Sequence, residues 1–439
     1  MEQRFFRPSL CRGATVLIIG AGRSGIASAK LLLGRGLKVH LYDDQTSENL
    51  RYFDAKAMVH HDRLTTHFAT GLSGPLERFS AVILSPGVRL DHQLVEQAKA
   101  ARLPILSEID LASLFLPSHK MIGITGTNGK STTTVMVESI LRAAGQRAWA
   151  CGNLGNPLCD LVSDTYEDNA PYFVVELSSF QLETTVLTQL DRAIIVNITP
   201  DHLDRYLSFE AYAHAKYQIA RLLKERSMLF VNASLRDIAP FILPPPNYFS
   251  AEEFGTGSYS YLRNTGILGL HNQENAMAAV KVAESLGIAP DVIVAGLKTY
   301  KPLPHRCEKV DVKKGVTYIN DSKGTTVVAV KKALSMFNAP THLLLGGLAK
   351  GEDFGELGLN QYPHIVGYYV FGHAANKILH ALMSPIGFYC ENLKDAVHLA
   401  QKRAKSGDIV LLSPGCASFD QFNDYQHRGE TFRALIKEL

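Results

Sequence analysis

The chain lacks any C-x-x-C pair. Its six cysteines (Cys11, Cys151, Cys159, Cys307, Cys390 and Cys416) are scattered, so neither a zinc ribbon nor a disulfide framework is expected, and a reducing cytoplasm suits it. No apolar run approaches the roughly 18–20 residues that cross a bilayer. The first such run, Ala14 to Ile19, ends in Gly-x-Gly and reads as a strand entering a loop, not as a signal peptide. Charge of one sign is also lacking: the formal net charge is +3 over 439 residues, which argues against a nucleic-acid or membrane partner. Low-complexity tracts and short repeats are absent. No G-x-S-x-G elbow, His/Cys cluster or paired-carboxylate pattern points to serine hydrolysis, zinc or glycoside chemistry.

What is present is glycine in particular places. Gly123-Ile124-Thr125-Gly126-Thr127-Asn128-Gly129-Lys130-Ser131 follows an apolar strand and opens a Thr-rich helical stretch. Glycines there let backbone amides crowd around phosphate oxygens, Lys130 meets the outer phosphates, and Ser131 or Thr132 supplies a hydroxyl for Mg2+. The spacing departs from G-x-x-x-x-G-K-[ST], because the glycines recur every third residue. A nucleoside triphosphate, ATP, is the expected ligand.

Around this loop the chain reads as three α/β units, with the sheets mostly parallel, at 1–107, 108–303 and 304–439. The first has a strand to Ile19, then Gly20-x-Gly22-x-x-Gly25, a helix over Ile26 to Arg35, and a strand from Leu37 to Tyr42 closed by Asp43-Asp44; a further strand, Ala81 to Leu84, breaks at Ser85-Pro86-Gly87. That is the Rossmann fingerprint. The second starts near Glu108, with Pro117-Ser118 as a turn, and carries strands ending at Glu176 and before Asn197. A long helical stretch bears Lys216, and a helix over Gln273 to Leu286 is opened by His271-Asn272. The third begins near Pro304, with strands running into Asn320-Asp321, Gly346-Gly347, Gly372-His373 and Ser413-Pro414-Gly415, and a closing helix over Arg428 to Leu439. Strand after strand ends in glycine, hydroxyl, carboxylate or imidazole residues. Open parallel sheets bind ligands at those ends, which makes the clefts between units the natural active site.

Glu176, directly after a buried strand, is the leading carboxylate for a metal; its alternative is a solvated strand end. His202 in Asp201-His202, with Asp204-Arg205 close behind, suits a metal, a substrate or plain solvent. Lys216 by itself reads as the solvated face of an amphipathic helix. Asn272 and Asn275 read as helix caps. Arg306 reads as a phosphate contact or a surface ion pair, and Asp321, Lys323 and Lys350 as anion-site groups or surface charge.

Eight segments in order resemble the Mur ligase family: Ile-Thr-Gly-Thr-Asn-Gly-Lys-Ser at 124–131, Cys-Gly-Asn-Leu-Gly at 151–155, Glu-Leu-Ser-Ser-Phe-Gln-Leu-Glu at 176–183, Asn-Ile-Thr-Pro-Asp-His-Leu-Asp-Arg-Tyr at 197–206, His-Asn-Gln-Glu-Asn-Ala at 271–276, Pro-His-Arg at 304–306, Asn-Asp-Ser-Lys-Gly-Thr at 320–325, and Ser-Pro-Gly-Cys-Ala-Ser-Phe-Asp-Gln-Phe at 413–422. The last segment favours members that join D-glutamate to UDP-N-acetylmuramoyl-L-alanine. The resemblance implies a Rossmann-like UDP-binding domain, a central P-loop ATPase domain and a Rossmann-like amino-acid-binding domain. It implies ATP, two Mg2+ ions and an acyl phosphate, in a cytoplasmic enzyme, expected as a monomer.

By position, the resemblance assigns Gly126, Thr127, Asn128, Gly129, Lys130, Ser131, Thr132, Asn275, Arg306 and Asp321 to ATP. It assigns Arg23, Ser24, Asp43, Asp44, Gly87, Asn153 and Ser178 to the UDP substrate, and His202, Thr325, Lys350, Ser418 and Tyr425 to D-glutamate. Ser131, Glu176, His202 and a carbamylated Lys216 are the implied metal ligands. Lys130, Glu176, His202 and Lys216 are the implied catalytic set. Two departures stand out: Asp44-Gln45 where a hydroxyl residue and a basic one are common, and Tyr425 where phenylalanine is common. Competing readings are a sister ligase with another amino acid, a folylpolyglutamate synthetase, an NAD-dependent oxidoreductase built on the first glycine turn, and a nucleotide sensor without turnover.

Overall fold

The computed structural model describes residues 10–50, 53, 62–116, 119–162, 170–202, 205–237, 245–267, 269–301, 303–349, 351 and 353–439. The expected turn at Pro117-Ser118, and the candidates Asp204 and Lys350, lie outside the described residues.

Three sheets follow one another along the chain. The first comprises β1 (Thr15–Ile19), β2 (Lys38–Asp43), β3 (Leu64–Phe68), β4 (Ala81–Leu84) and β5 (Ile105–Ser107), in the order β3-β2-β1-β4-β5. The second comprises β6 (Lys120–Thr125), β7 (Ala148–Gly152), β8 (Tyr172–Glu176), β9 (Leu190–Ile195), β10 (Leu223–Asn232) and β11 (Asn247–Phe249), in the order β11-β10-β9-β6-β8-β7. The third comprises β12 (Glu308–Lys313), β13 (Val316–Asn320), β14 (Thr341–Gly346), β15 (Ile365–Phe371), β16 (Gly387–Tyr389) and β17 (Ile409–Leu412), in the order β12-β13-β17-β14-β15-β16. Every pairing is parallel except β12 on β13. Runs such as Val16-Leu17-Ile18-Ile19 and Leu343-Leu344-Leu345 are buried throughout, as strands covered on both faces require.

Contacts divide the chain into two compact units, Met1–Tyr300 and Lys301–Leu439. Within the first unit one apolar cluster runs from Val16 on the first sheet and Leu32 on the helix Arg23–Gly34, through Ile109, Leu111 and Leu158, to Phe173 and Leu190 on the second sheet. β5 passes directly into the helix Glu108–Phe115, whose start is capped where Ser107 Oγ accepts the Asp110 amide at 3.0 Å. Glu108, fully enclosed, accepts the Cys159 amide at 2.6 Å. Burial pushes its carboxyl up to about 7.

β1 and β6 each have neighbours on both sides that are reached by opposite crossovers, so each glycine turn sits at a switch point of its sheet, where such folds bind ligands. Two local expectations change. The helix bearing Lys216 is short, Phe209–Tyr217, and passes into a 3-10 turn. The helix expected over 273–286 starts at Leu270 with Gly269 as its cap, which leaves Asn275 inside the helix and buried. Neither Asn272 nor Asn275 is the capping residue there.

Candidate active site in the first unit

The phosphate loop is built around its last glycine. Gly129 caps the helix Lys130–Ala143 at φ +77°, and a Cβ there would lie 2.1 Å from Asn275 Oδ1; only glycine fits. Intrahelical bonding begins with the Thr133 amide on Gly129 O at 2.9 Å, so the positive end of the helix faces the loop. Asn197, after β9, holds the loop from behind. Its carbonyl accepts the Thr127 amide and its Oδ1 the Asn128 amide, both at 2.8 Å. These two amides are thus committed to the protein. Thr133 Oγ1 donates to Asn275 Oδ1 at 3.3 Å, tying the loop helix to the helix Leu270–Ser285.

The chemical groups converge on this loop. Lys130 Nζ donates to Gly126 O at 2.8 Å and Thr127 O at 2.9 Å. Ser131 Oγ donates to Glu176 Oε2, and Asn153 Nδ2 donates to the other oxygen, Oε1, at 2.8 Å. Glu176 is 1% exposed, so it is not a solvated strand end. Ser178 caps the short helix Ser179–Leu182 in a capping box with Gln181.

Lys216 departs most from the simple amphipathic reading. It is 1% exposed. Its Nζ donates to Gly126 O at 2.8 Å and lies 4.7 Å from the Tyr212 ring centroid. Burial, with the Lys130 charge adding to it against Asp201 and Glu176, pushes its ammonium down to about 6. At neutral pH the group is therefore mostly a free amine. His202 sits in the left-handed region (φ +54°), with its ring edge-on to Phe180 at 5.0 Å.

A divalent cation fits the donor set here. Ser131 Oγ and the Glu176 carboxylate are hard oxygen ligands, and Mg2+ is usually held by one or two carboxylates plus substrate phosphates. Among the described residues no group of three His, Cys, Asp or Glu side chains gathers into an all-protein metal cage.

The other glycine turn in this unit is arranged differently. Gly25 packs so closely that a Cβ would meet Gly20 O at 1.9 Å. Asp43 accepts the Ala21 amide at 2.7 Å and the Gln45 amide at 3.0 Å. Asp44 accepts from Tyr42 at 2.8 Å and faces His92 Nε2 at 3.3 Å. Arg23 Nη1 reaches Gly155 O, beyond β7 of the second sheet, at 2.8 Å. Ser24 lends its carbonyl to Ser28 Oγ at 2.9 Å. Gly87 follows β4 in the loop whose Ser85 Oγ donates to Gly20 O at 2.7 Å.

In the second unit, Asp321 accepts from Ser413 Oγ at 2.7 Å and from the Cys307 amide at 3.2 Å. Burial pushes its carboxyl up to about 6, against the opposing pull of Ser413, Cys307 and the Arg306 charge. Arg306 and Asp321 are therefore neighbours. Tyr425 opens the closing helix Tyr425–Glu438, its carbonyl taking Ser322 Oγ at 2.8 Å and its ring lying 5.1 Å from Lys323 Nζ. Ser418 is buried, and Thr325 follows the turn closed by the Gly324 amide on Asp321 O.

Sequence reasoning missed Arg428. It is fully buried and donates to Ser322 Oγ (3.0 Å), Ser322 O (2.8 Å), Cys416 O (3.1 Å), Gly346 O (3.3 Å) and Ala417 O (3.4 Å). One guanidinium thus ties together the loops after β13, β14 and β17. Its signal was its place on the apolar stripe of the closing helix, four residues before Phe432 and seven before Leu435, both buried.

Three family models match this chain: the Mur ligase MurD-like N-terminal domain at 14–107, the Mur ligase middle domain at 124–240, and the Mur ligase glutamate ligase domain at 305–416. Curated relatives named UDP-N-acetylmuramoylalanine--D-glutamate ligase include one from Koribacter versatilis, 36% identical over 98% of this chain and 98% of the relative. Another, from Protochlamydia amoebophila, is 37% identical over 97% and 98%. Among solved structures, the UDP-N-acetylmuramate-alanine ligase MurC from Thermotoga maritima aligns at 17% identity and TM-score 0.62, over 97% of this chain and 99% of that one. The MurF ligase from Thermotoga maritima in complex with ADP aligns at 16% identity and TM-score 0.61 over the whole of both chains. At that identity the structures speak for the fold alone.

Proposed function

The chain belongs to the Mur ligase family, and from that premise we propose that it joins D-glutamate to UDP-N-acetylmuramoyl-L-alanine at the expense of ATP, in the cytoplasm, for peptidoglycan precursor synthesis. The observation that carries this reading is the convergence of Lys130, Lys216 and the buried Ser131–Glu176 pair on one glycine loop.

A carboxylate does not react with an amine at neutral pH, because its oxygen is too poor a leaving group. Its attack on the γ-phosphorus of ATP releases ADP and gives an acyl phosphate. The amine of D-glutamate then adds to the acyl carbon, phosphate leaves, and the nitrogen gives up a proton as the amide forms. Lys130, released from Gly126 O and Thr127 O, supplies charge to the transferring phosphoryl group. Asn153, anchored on Glu176, orients the muramoyl carboxylate arm. Ser131 and Glu176 would hold Mg2+, with His202 completing the set; when bound, the ion neutralises charge on the phosphate oxygens. Thr127, Asn128, Thr132 and Asn275 shape the nucleotide side of the loop. The proposed UDP contacts are Arg23, Ser24, Asp43, Asp44, Gly87 and Ser178. In the second unit Arg306 and Asp321 are assigned to the nucleotide, and Thr325, Lys350, Ser418 and Tyr425 to D-glutamate. The proposed domains are 1–107, 108–303 and 304–439, and the proposed state is a monomer. Among the described residues no helix is long and apolar enough to cross a membrane.

Lys216 is proposed to be carbamylated. Its neutral amine attacks the carbon of CO2 and loses a proton, leaving an anionic carbamate able to serve a second Mg2+. Lys216→Ala should lose activity at least about 100-fold, as removal of a transition-state electrostatic group does, and short carboxylates should restore part of it. A variant that ignores acetate and propionate across a wide concentration range contradicts the carbamate.

The function itself is tested by phosphate release from ATP with UDP-N-acetylmuramoyl-L-alanine and, in turn, D-Glu, L-Glu, L-Ala, L-Lys and meso-diaminopimelate. Turnover is expected with D-Glu alone. Turnover with another of these instead would reassign the chain to a sister activity.

A further inference from the structure

Resting on that proposed reaction, we infer that Arg205 is a substrate-positioning residue: it fixes the spacing between the glycine turn that takes the UDP end of the substrate and the loop where the other end is phosphorylated. The two ends of one long substrate must be held at a set separation, and within the first unit Arg205 joins the loop beside the first glycine turn to the segment beside the phosphate loop.

Arg205 follows β9 on the segment that carries His202. The backbone there is tied to the phosphate loop at Thr199. Thr199 and Thr127 exchange hydrogen bonds, the Thr199 amide to Thr127 Oγ1 at 3.0 Å and Thr127 Oγ1 to Thr199 O at 3.1 Å. The Arg205 amide closes on His202 O at 3.0 Å. Thr199, at the start of the segment, is thus bonded to the phosphate loop. The guanidinium reaches the first sheet's loops. Its Nη1 donates to Pro86 O at 3.3 Å, across to the loop after β4. That loop holds Ser85, whose Oγ donates to Gly20 O in the first glycine turn at 2.7 Å, and Gly87 is its next residue.

The side chain is braced against swinging away. Nη2 pairs with Glu183 Oε2 at 3.1 Å, and the guanidinium plane lies 3.9 Å from the Phe180 ring centroid. Both charged side chains are about 15% exposed, at 15% and 17%. Glu183 and Phe180 come from the segment just after Glu176, so the brace is built on the same loop cluster that supplies the reacting groups. A planar fork that stacks, pairs and donates at once is particular to arginine; a lysine reproduces only the charge. Among the described residues the guanidinium bonds go to Pro86 O and Glu183 Oε2, which makes its role one of alignment.

Alignment has a signature that loss of stability lacks. Binding energy from a remote part of a substrate accelerates reaction only if the enzyme holds the remote and reacting parts in register. The experiment measures kcat/KM for UDP-N-acetylmuramoyl-L-alanine and for the same muramoyl-L-alanine bearing a 1-phosphate without uridine. Wild type should strongly prefer the full substrate. In Arg205→Met that preference should fall at least about tenfold, while kcat/KM for the truncated substrate stays within about twofold. Arg205→Lys should lie between the two. Glu183→Gln, which removes the brace and spares Pro86, should lower the preference by about threefold and serves if the methionine variant does not fold. An unchanged preference in these variants, or an equal loss for both substrates, overturns the inference. If wild type makes no product with D-glutamate, the proposed reaction fails and this inference falls with it.

Discussion

The first unit contains two glycine turns of the same architecture and different polar surroundings. Both follow a buried parallel strand, both open a helix, and both sit at a switch point of their sheet. At Gly20–Gly25 the turn is met by a carboxylate, Asp43, which takes the Ala21 amide, and Arg23 of the same turn spends a donor on Gly155 O. At Gly126–Lys130 the turn is met by amines: Lys130 and Lys216 both donate to Gly126 O. A turn whose leading amide already bonds a carboxylate has less positive character left to offer a ligand's phosphates. A turn that gathers the Lys130 ammonium and the mostly neutral Lys216 amine beside a buried carboxylate suits the proposed triphosphate, whose charge must be moved. Glycine spacing alone distinguishes neither; the residues brought in from β2, β8 and the helix Phe209–Tyr217 do.

The largest break in this comparison is Lys130→Ala. It should lower kcat about 1,000-fold, the scale of losing a principal electrostatic donor to the phosphoryl group, with the Tm little changed; phosphate release at saturating substrates measures it. Near-normal release means the second turn does not perform the chemistry.

Asp43→Ala probes the other turn. With the Ala21 amide deprived of its acceptor, the KM for the UDP substrate should rise about tenfold, the loss of a charge-assisted hydrogen bond, while the KM for ATP holds. A rise in the ATP constant instead reverses the roles given to the two turns.

The smallest effect concerns Glu108, at the seam between the two sheets. Its folded pKa of about 7 exceeds its ordinary value of 4.5. The neutral carboxyl is therefore preferred in the fold, and its full contribution is present below about 4.5. That contribution declines as pH rises to about 7, by on the order of 3 kcal/mol in total. Relative to Glu108→Gln, wild type should lose Tm across that window. Parallel Tm curves for the two proteins would show that Glu108 is charged in the fold.

Much of the architecture was legible because buried parallel strands announce themselves as apolar runs ending in glycine or polar residues. Val16 to Ile19, Ala81 to Leu84 and Leu343 to Leu345 all fall where expected. Leu64–Phe68, with exposed Thr65 and Thr66, and the short Gly387–Tyr389 lack that mark, and their pairing partners alone make them strands. The loop, Glu176 and Asp43 were readable from local pattern. Lys216 and Arg428 were not, because a charged residue on a helix is usually at the surface. The clue in both cases was position: Lys216 lies four residues after Tyr212 and three before Ile219, both buried. Arg205 was visible as a charge, but its partners Pro86 and Glu183 are 119 and 22 residues away, and no local pattern connects them.

The most direct test follows the oxygen atoms. With UDP-N-acetylmuramoyl-L-alanine labelled with 18O in its free carboxylate, one turnover with ATP, Mg2+ and D-glutamate should deliver a single labelled oxygen into the released phosphate. Phosphate that emerges unlabelled while the amide forms would contradict capture of the phosphoryl group by the substrate's own carboxylate.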